Sequence, residues 1–245
     1  MRSLLLLIIA VLYLILTLPV LLVLWLIGLK RPDLRGRASR AMVRFIFRVL
    51  LWGTGTKPVV LGAERIPKDT AVLFVGNHRS IFDVIISYPY MHKDTGIVAK
   101  SSLNSVPLFN IWARFVGCLF FDRDDLKAGM KMIMDGISRM KNGTSIFIFP
   151  EGTRNRAAED LPLLPFHEGS FRLAMRSGCP IVPIAFCNTI DIWEGHFPWI
   201  RKTKAVVEFG EPVYPDDIPK EMKKQVGARV SEIITEMVQK NQALL

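Results

Sequence analysis

Hydrophobic and polar residues divide the chain into two parts with different patterns. Residues 4–27 contain no charged side chain, and about 20 apolar residues in a row are enough for a helix that crosses a bilayer. From Val59 onward, short apolar runs alternate with stretches whose apolar residues recur at helical spacing. That alternation is typical of an α/β sheet whose strands are joined by crossover helices. The pattern therefore predicts an apolar N-terminal helix followed by an α/β domain.

The α/β part contains seven runs rich in strand-forming residues. We predict strands at residues 59–61, 71–75, 96–99, 117–121, 145–149, 181–186 and 205–209. Two amphipathic helices are predicted as well, each from apolar residues at helical spacing. The first has a methionine stripe, interpreted as core, that comprises Met130, Ile133, Met134, Ile137 and Met140. The second, despite an internal glycine, comprises Met222, Val226, Val230, Ile233 and Met237.

The N-terminal segment, residues 1–29, is interpreted as a permanent membrane anchor. A cleaved signal peptide is the competing interpretation, but the apolar core is too long for one and no A-x-A-like cleavage site follows it. Pro19 is compatible with a kinked or re-entrant helix in place of a straight span.

Positive charge is concentrated directly after this anchor. Through Arg48 the chain has eight basic residues and a single acid, so this part carries +7 of the formal net charge of +10. A basic cluster after an apolar helix keeps that side in the cytoplasm and attracts anionic membrane lipids. Nucleic acid is disfavoured as a partner because the charge adjoins the anchor. We expect an inner-membrane protein whose catalytic domain faces the cytoplasm.

The basic segment, residues 30–55, contains a helical pattern at residues 41–52. Arg44 and Arg48 lie four residues apart and share one face, and apolar residues occupy the neighbouring positions. We interpret this stretch as an interfacial helix that lies along the membrane, with packing onto the domain as the alternative. A Gly-Thr-Gly-Thr sequence ends the helix, and residues 56–245 are assigned to the catalytic domain.

Several common catalytic and metal-binding motifs are missing from the sequence. There is no G-x-S-x-G elbow, no Walker A loop and no H-E-x-x-H motif. The four histidines are scattered and the three cysteines lack CxxC spacing, so we expect neither a metal site nor a disulfide. A serine hydrolase and a zinc enzyme are therefore both disfavoured.

The first candidate site follows the predicted strand 71–75. His78 and Asp83 meet if the histidine lies in the strand-to-helix turn and the aspartate in the first helical turn. A carboxylate on the far nitrogen of the imidazole fixes its tautomer and raises its basicity. The alternative is that Ser80 and Asp83 form only a capping box, with Ser80 as the N-cap and His78 an ordinary turn residue. A histidine base without a protein nucleophile suits activation of a substrate hydroxyl group.

The second candidate site follows the predicted strand 145–149 and reads Glu151-Gly152-Thr153-Arg154. The glycine permits an unusual backbone turn, and the guanidinium of Arg154 binds phosphate through two parallel hydrogen bonds. Ligand sites in α/β sheets gather at the carboxyl ends of strands, which is where both motifs stand.

Two further cations follow predicted strands. Lys100 ends the strand at 96–99, and Arg123 comes shortly after the strand at 117–121. Each is either a phosphate ligand or a solvated loop residue, and the sequence around it leaves that choice open.

At these motifs the sequence resembles the glycerolipid acyltransferases, most closely the bacterial members that acylate 1-acyl-glycerol-3-phosphate. Four blocks appear in the family's order and with similar spacing, namely His78 with Asp83, Lys100 with residues 117–123, the F-P-E-G-T-R block at 149–154, and residues 182–184. One departure is His167, which stands after a phenylalanine where relatives usually have a lysine.

The resemblance implies a mixed, largely parallel sheet with helices on both faces. It also implies transfer of a fatty acyl group from acyl-CoA or acyl-carrier-protein to the free hydroxyl of lysophosphatidic acid, giving phosphatidic acid. His78 would be the general base and Asp83 its orienting partner. The acceptor site would comprise Lys100, Arg123, Glu151, Gly152, Thr153 and Arg154. No metal or cofactor is implied, because the thiolate of the donor is a good leaving group.

Two alternatives to this function are open. The unusual His167 permits a different lysolipid as the acceptor, although Thr153 is more typical of lysophosphatidate acylation. The other alternative is a membrane adaptor that has the same fold and no catalytic activity. The presence of both candidate motifs argues against such an adaptor.

Overall fold

The computed structural model of this protein describes residues 2–91, 94–122 and 125–245. Within these ranges the α-helices are α1 (Arg2–Leu16), α2 (Leu18–Lys30), α3 (Pro32–Thr54), α4 (Phe82–Ser87), α5 (Phe109–Phe115), α6 (Leu126–Lys141), α7 (Arg172–Ser177) and α8 (Val226–Gln242). The strands are β1 (Val59–Leu61), β2 (Leu73–Gly76), β3 (Thr95–Lys100), β4 (Leu119–Phe121), β5 (Ser145–Ile148), β6 (Ile181–Cys187) and β7 (Val206–Phe209).

The strands form one sheet in the order β1-β7-β6-β2-β5-β3-β4. Neighbouring strands are parallel except β6 and β7, which are antiparallel. All seven predicted strands are confirmed with small shifts at their ends, and so is the mixed, largely parallel sheet. The central strands β2, β5 and β6 are buried throughout, because helices cover both faces of such a sheet, and they read as continuous apolar runs.

Alternate residues of each central strand enter two different cores. In β2, Leu73 and Val75 pack towards α6, α7 and α8. Phe74, between them, packs on the opposite face with Phe82 and Ile86 of α4. This alternation follows from the pleat of a strand, and it confirms helices on both faces of the sheet.

The methionine stripe of α6 is only partly in the core. Met140 is 1% exposed, but Met130 and Met134 are 62% and 57% exposed, and Met132 is buried instead. A Cβ atom at Gly136 would lie 2.5 Å from a leucine of α7, so this face of the helix approaches its neighbour most closely. The close approach sets the rotation of α6, and the prediction that Met130 and Met134 belong to the core is wrong.

The C-terminal helix begins four residues later than its apolar pattern suggests. Met222 lies in a preceding short 3-10 helix and is 41% exposed, whereas α8 starts at Val226. The carboxylate of Glu168 accepts hydrogen bonds from the backbone N–H groups of Gly227 and Ala228, at 3.0 and 3.2 Å. These are helix-capping bonds supplied by a short 3-10 helix, Glu168–Phe171, that is distant in the sequence. A Cβ atom at Gly227 would lie 2.7 Å from that carboxylate, which accounts for the glycine.

The apolar N-terminal stretch consists of two helices. α1 and α2 meet at Thr17 and their axes differ by 48°. Pro19 stands in the first turn of α2, where the missing N–H of proline costs no helical hydrogen bond. In the described part of the chain no single helix is long and apolar enough to cross a membrane, and only this bent pair together has the length and composition for it. The N-terminal stretch is therefore not one straight helix but a kinked pair, as the alternative based on Pro19 suggested.

α3 is longer than the predicted helix at residues 41–52, and one of its faces packs onto the domain. Val43, Phe47 and Leu51 contact the core beside α4, as the alternative interpretation of this segment predicts. The other side of the helix exposes Phe45 and Trp52, which are 60% and 82% accessible. One face of α3 therefore packs on the domain, and the other face presents apolar side chains to the solvent.

Candidate active site

Both sequence motifs lie at the same side of the sheet, where the parallel central strands have their carboxyl-terminal ends. β2 and β5 are neighbours, with Val75 opposite Ile148, so the residues that follow them leave the sheet side by side. The turn after β2 is fixed by Asn77, whose side-chain amide donates to the carbonyl of Phe186 at 2.9 Å. The same amide oxygen accepts from the N–H of Phe186 at 2.8 Å. Sequence reasoning gave Asn77 no role.

His78 and Asp83 are in contact as predicted. The Nδ1 atom of the imidazole lies 2.9 Å from Oδ2 of the carboxylate. Asp83 is fully buried, and the same oxygen accepts from the backbone N–H groups of Arg79 and Ser80 at 2.7 and 2.8 Å. The other oxygen accepts from the hydroxyl of Thr189, which lies two residues after the end of β6. Since ligand-binding residues gather at strand ends, the position of Thr189 was the one signal that pointed to it.

The structure contains both the helix-capping contacts of Asp83 and the contact with His78 on which its predicted catalytic role depends. α4 starts at Phe82, so Asp83 lies in its first turn. The bond from the N–H of Ser80 to the Asp83 carboxylate is one arm of a capping box. The hydroxyl of Ser80 accepts from the N–H of Phe82 instead of that of Asp83. One carboxylate therefore holds the start of the helix and the imidazole together.

Both the ring and the backbone of His78 are held in place by contacts with the second motif and the residues after it. It stacks on Phe149 of the second motif, with ring centroids 3.9 Å apart and an angle of 16° between the planes. Its backbone N–H donates to Glu151 at 2.8 Å and its carbonyl accepts from the N–H of Asn155 at 2.7 Å. Since a carboxylate only accepts hydrogen bonds, we assign the contact with Asp83 as a bond donated by Nδ1, which leaves the lone pair of Nε2 for a substrate hydroxyl. The side chain is 20% exposed.

Glu151 joins the two motifs. Its buried carboxylate accepts from the N–H of His78 and, at 3.3 Å, from the N–H of Leu164. Burial raises the pKa of this carboxyl group to about 7. The chain then turns at Gly152, whose φ of 64° lies in the left-handed region that glycine adopts without strain. This turn carries the backbone away from Glu151 towards Arg154.

The raised pKa of Glu151 predicts a pH-dependent stability. The ordinary glutamate pKa of about 4.3 applies in the unfolded chain, so the folded protein binds the proton more tightly between roughly pH 4.5 and 7. The free energy of unfolding that Glu151 contributes therefore falls as the pH rises through this window. Relative to the Glu151→Gln variant, we expect the wild type to lose stability from pH 5 to pH 8, by no more than about 3 kcal/mol.

Denaturant unfolding of both proteins in detergent at several pH values measures this difference. The exposed Glu159 offers a matched control, and Glu159→Gln should follow the wild type at every pH. A wild-type-minus-variant difference that stays constant from pH 5 to pH 8 contradicts the prediction.

Arg154 is bound to a residue that sequence reasoning missed. Its Nη1 donates to Oε1 of Glu194 at 2.8 Å, and the same oxygen accepts from the N–H of Ile81 at 2.8 Å. The other oxygen of Glu194 accepts from the hydroxyl of Ser80. One acid thus links the guanidinium to the turn that holds the histidine. No motif in the sequence marks Glu194, which lies in a short 3-10 helix well after β6.

The other predicted site residues make no hydrogen bond with His78 or Asp83 in the described part of the structure. Thr153 is exposed beside Arg154. Lys100 is exposed at the end of β3, on the same edge of the sheet but two strands away from β2. Arg123 lies outside the described residues. The site that the structure brings together therefore comprises the imidazole of His78, its carboxylate partner and the guanidinium of Arg154.

The fold and this site define a class of enzyme. A histidine paired with a carboxylate at the carboxyl-terminal ends of the strands, near a guanidinium, is an arrangement that can activate the hydroxyl of an anionic substrate. The model of the acyltransferase family matches residues 57–187, which is more than half of the chain and includes both motifs. The chain belongs to the acyltransferase family.

Individual relatives agree with this assignment. The 1-acyl-sn-glycerol-3-phosphate acyltransferase of Borreliella burgdorferi is 35% identical over 62% of this chain and 60% of its own length. The enzyme of the same name from Saccharomyces cerevisiae is 26% identical over 80% of this chain and 63% of its own. The matched part of this chain thus corresponds to less than two thirds of the length of each of these curated relatives.

A solved structure has the same fold. The 1-acyl-sn-glycerophosphate (LPA) acyltransferase from Thermotoga maritima superposes with a TM-score of 0.82 and 23% sequence identity. The superposition covers 99% of this chain and 95% of that one. The likeness therefore includes the N-terminal helices as well as the α/β domain.

Proposed function

We propose that this protein transfers a fatty acyl group from an acyl thioester to the free hydroxyl of 1-acyl-glycerol-3-phosphate, forming phosphatidic acid. The observation that carries the proposal is the 2.9 Å contact between His78 and the buried Asp83, beside Arg154. The names of the relatives supply the acceptor, because they refer to enzymes that act on 1-acyl-glycerol-3-phosphate.

The chemistry needs one proton to move twice. Nε2 of His78 takes the proton of the acceptor hydroxyl as its oxygen attacks the thioester carbonyl. Collapse of the tetrahedral adduct breaks the carbon–sulfur bond and releases the thiolate, which receives the proton from the imidazolium. Asp83 stabilises the imidazolium without taking its proton. The ester and the free thiol leave, and the enzyme returns to its starting state.

The phosphate of the acceptor binds at Arg154 in this proposal. A guanidinium has five N–H donors, and in the described part of the structure Glu194 takes one of them. Donors therefore remain for phosphate oxygens, and the side chain is 38% exposed. Lys100 and Arg123 are proposed as further cations of this site, and Thr153 and Gly152 shape the turn that presents Arg154.

The acceptor and the product are both lipids, so the enzyme works at a membrane surface. In this proposal the bent pair α1 and α2 anchors the chain, and the basic segment at residues 30–55 contacts anionic lipid headgroups. The donor is acyl-CoA or acyl-carrier-protein, and the catalytic domain faces the cytoplasm of the inner membrane.

Product analysis tests the proposed function. The purified protein in lipid vesicles is given a panel of lysolipids, each with acyl-CoA and with acyl-carrier-protein, and the products are separated by thin-layer chromatography. We expect phosphatidic acid from lysophosphatidic acid and little product from lysolipids whose phosphate is esterified or absent. Preferred acylation of another lysolipid contradicts the acceptor assignment, and no product from any pair contradicts the enzyme assignment.

Arg154→Lys is expected to raise the KM for lysophosphatidic acid much more than the KM for the acyl thioester. Lysine keeps the charge but does not reproduce the two parallel bonds of a guanidinium to phosphate. Charge-assisted hydrogen bonds contribute about 1.5–3 kcal/mol, so kcat/KM for the acceptor should fall roughly ten- to a hundredfold. Steady-state kinetics with each substrate varied in turn measures the two constants.

The neighbouring Arg156 supplies the matched control, since it is exposed and belongs to neither motif. Arg156→Lys should leave both constants unchanged. If Arg154→Lys raises the thioester constant instead, Arg154 belongs to the donor site. If neither constant changes, Arg154 is structural and Arg123 becomes the first choice for the phosphate ligand.

A further inference from the structure

Residues 197–204, which we call the aromatic–basic segment, form a surface that the reaction does not use. The segment reads FPWIRKTK, with three cations and no acid. Phe197 and Trp199 are 70% and 59% exposed, and Arg201 and Lys202 are exposed as well. A single exposed apolar residue is ordinary, but exposed apolar residues grouped within one short segment are typical of an interaction site.

The aromatic–basic segment contacts both ends of the N-terminal helical region. The N–H of Ile200 donates to the hydroxyl of Ser3, at the start of α1, at 2.9 Å. The N–H of Thr203 donates to the hydroxyl of Thr56, just after α3, at 3.2 Å. The side chain of Lys202 lies against Gly55, the residue that ends α3. The segment is therefore continuous with the helices that form the proposed anchor.

Exposed apolar side chains surround these contacts. Leu4, Leu5 and Leu7 of α1 are 57–62% exposed, and Trp52 near the end of α3 is 82% exposed. These exposed apolar residues belong to the two helix ends that the segment contacts through Ser3 and Thr56, so apolar side chains and cations occur together in this region. Tryptophan and phenylalanine beside lysine and arginine are typical of the interfacial zone of a bilayer.

We propose that the aromatic–basic segment is a second membrane contact, in which Phe197 and Trp199 enter the interface of an anionic bilayer and Arg201 and Lys202 bind lipid phosphates. This inference rests on the membrane association in the proposed function and adds a contact from the catalytic domain itself. A bilayer is the occupant that the structure favours over an acidic protein, because the segment is hydrogen-bonded to the start of α1, a helix of the proposed anchor whose leucines are exposed.

The contact orients the active site towards the lipid. The ring of Phe197 lies 5.6 Å from that of Trp193, which directly precedes Glu194. Glu194 in turn binds Arg154 and the turn that holds His78. A bilayer that contacts the aromatic–basic segment is thus connected through Trp193 and Glu194 to the groups that would bind and activate the acceptor.

Site-directed spin labelling of the full-length protein tests this contact. A nitroxide is attached to Trp199→Cys, and to Tyr214→Cys as the control. Tyr214 is 45% exposed and follows Val213, which pairs with the first residue of β6 at the opposite edge of the sheet. Two native cysteines are buried and Cys118 is partly buried, and labelled wild type corrects for any background.

With phosphatidylglycerol vesicles at low salt, the label at position 199 should lose most of its collisions with a water-soluble nickel chelate and gain collisions with oxygen. The label at position 214 should change little. Arg201→Glu together with Lys202→Glu should weaken this immersion, whereas Lys223→Glu together with Lys224→Glu, an exposed basic pair elsewhere, should not.

Cosedimentation with the same vesicles separates the ways in which the inference fails. A protein that sediments with vesicles while the label at 199 stays accessible to nickel overturns the second contact and leaves the anchor intact. A protein that does not sediment overturns both the contact and the proposed membrane association. Shielding of the label by acyl carrier protein but not by vesicles overturns the bilayer as occupant.

Discussion

His78→Ala is expected to abolish acyl transfer while leaving the fold and vesicle binding nearly unchanged. The variant removes the base that takes the hydroxyl proton, and a positioned general base contributes typically 10²–10⁴-fold to the rate. The imidazole is partly exposed and its largest packing contact is the stack on Phe149. An aromatic contact of this kind contributes about 0.5–1.5 kcal/mol, so the loss of stability should be small beside the loss of rate.

The rate is measured with saturating thioester and lysophosphatidic acid, and stability by denaturant unfolding of the same preparation. His196→Ala is the matched control and should retain activity, because the imidazole of that histidine is 3.8 Å from its charged neighbour Asp191 and its hydrogen bonds within the described residues are made by its backbone. A decrease below about tenfold for His78→Ala contradicts the assignment of a general base.

Asp83→Asn is expected to be nearly as inactive. Asparagine has the shape of aspartate, and its oxygen can still accept from the N–H groups of Arg79 and Ser80. Its amide nitrogen can donate to the hydroxyl of Thr189 in place of the bond that Asp83 accepts there. The start of α4 therefore persists, but the imidazolium loses its negative partner. We expect a rate loss of at least about 10²-fold and a destabilisation of about 1–3 kcal/mol.

A second variant separates catalysis from capping at this position. Ser80→Ala removes the hydroxyl that accepts from the N–H of Phe82 and donates to Glu194, and it leaves the pair of His78 and Asp83 in place. If the helix cap is what matters, Ser80→Ala and Asp83→Asn should lose activity in proportion to their loss of stability. If the charge of Asp83 matters, Asp83→Asn alone should lose much more activity than its loss of stability explains.

The strands and the two site motifs were readable from the amino-acid sequence without any structure. Each central strand is a short, continuous apolar run because both of its faces are covered, and that pattern is readable without any partner. The rule that sites form at the carboxyl ends of strands then placed His78 and Arg154 at one edge of the sheet. The contact between His78 and Asp83 was also predictable, since it spans five residues across one turn.

Contacts between distant parts of the chain were decided by the tertiary structure alone. The hydroxyl of Thr189 meets Asp83 across 106 residues, and Glu194 meets Arg154 across 40. No local pattern encodes either pair, because each depends on where the loop after β6 lies over the sheet. The face that α6 turns inward was likewise set by the close approach at Gly136. Short-range periodicity determines what an element is, whereas packing between elements determines which of its side chains meet.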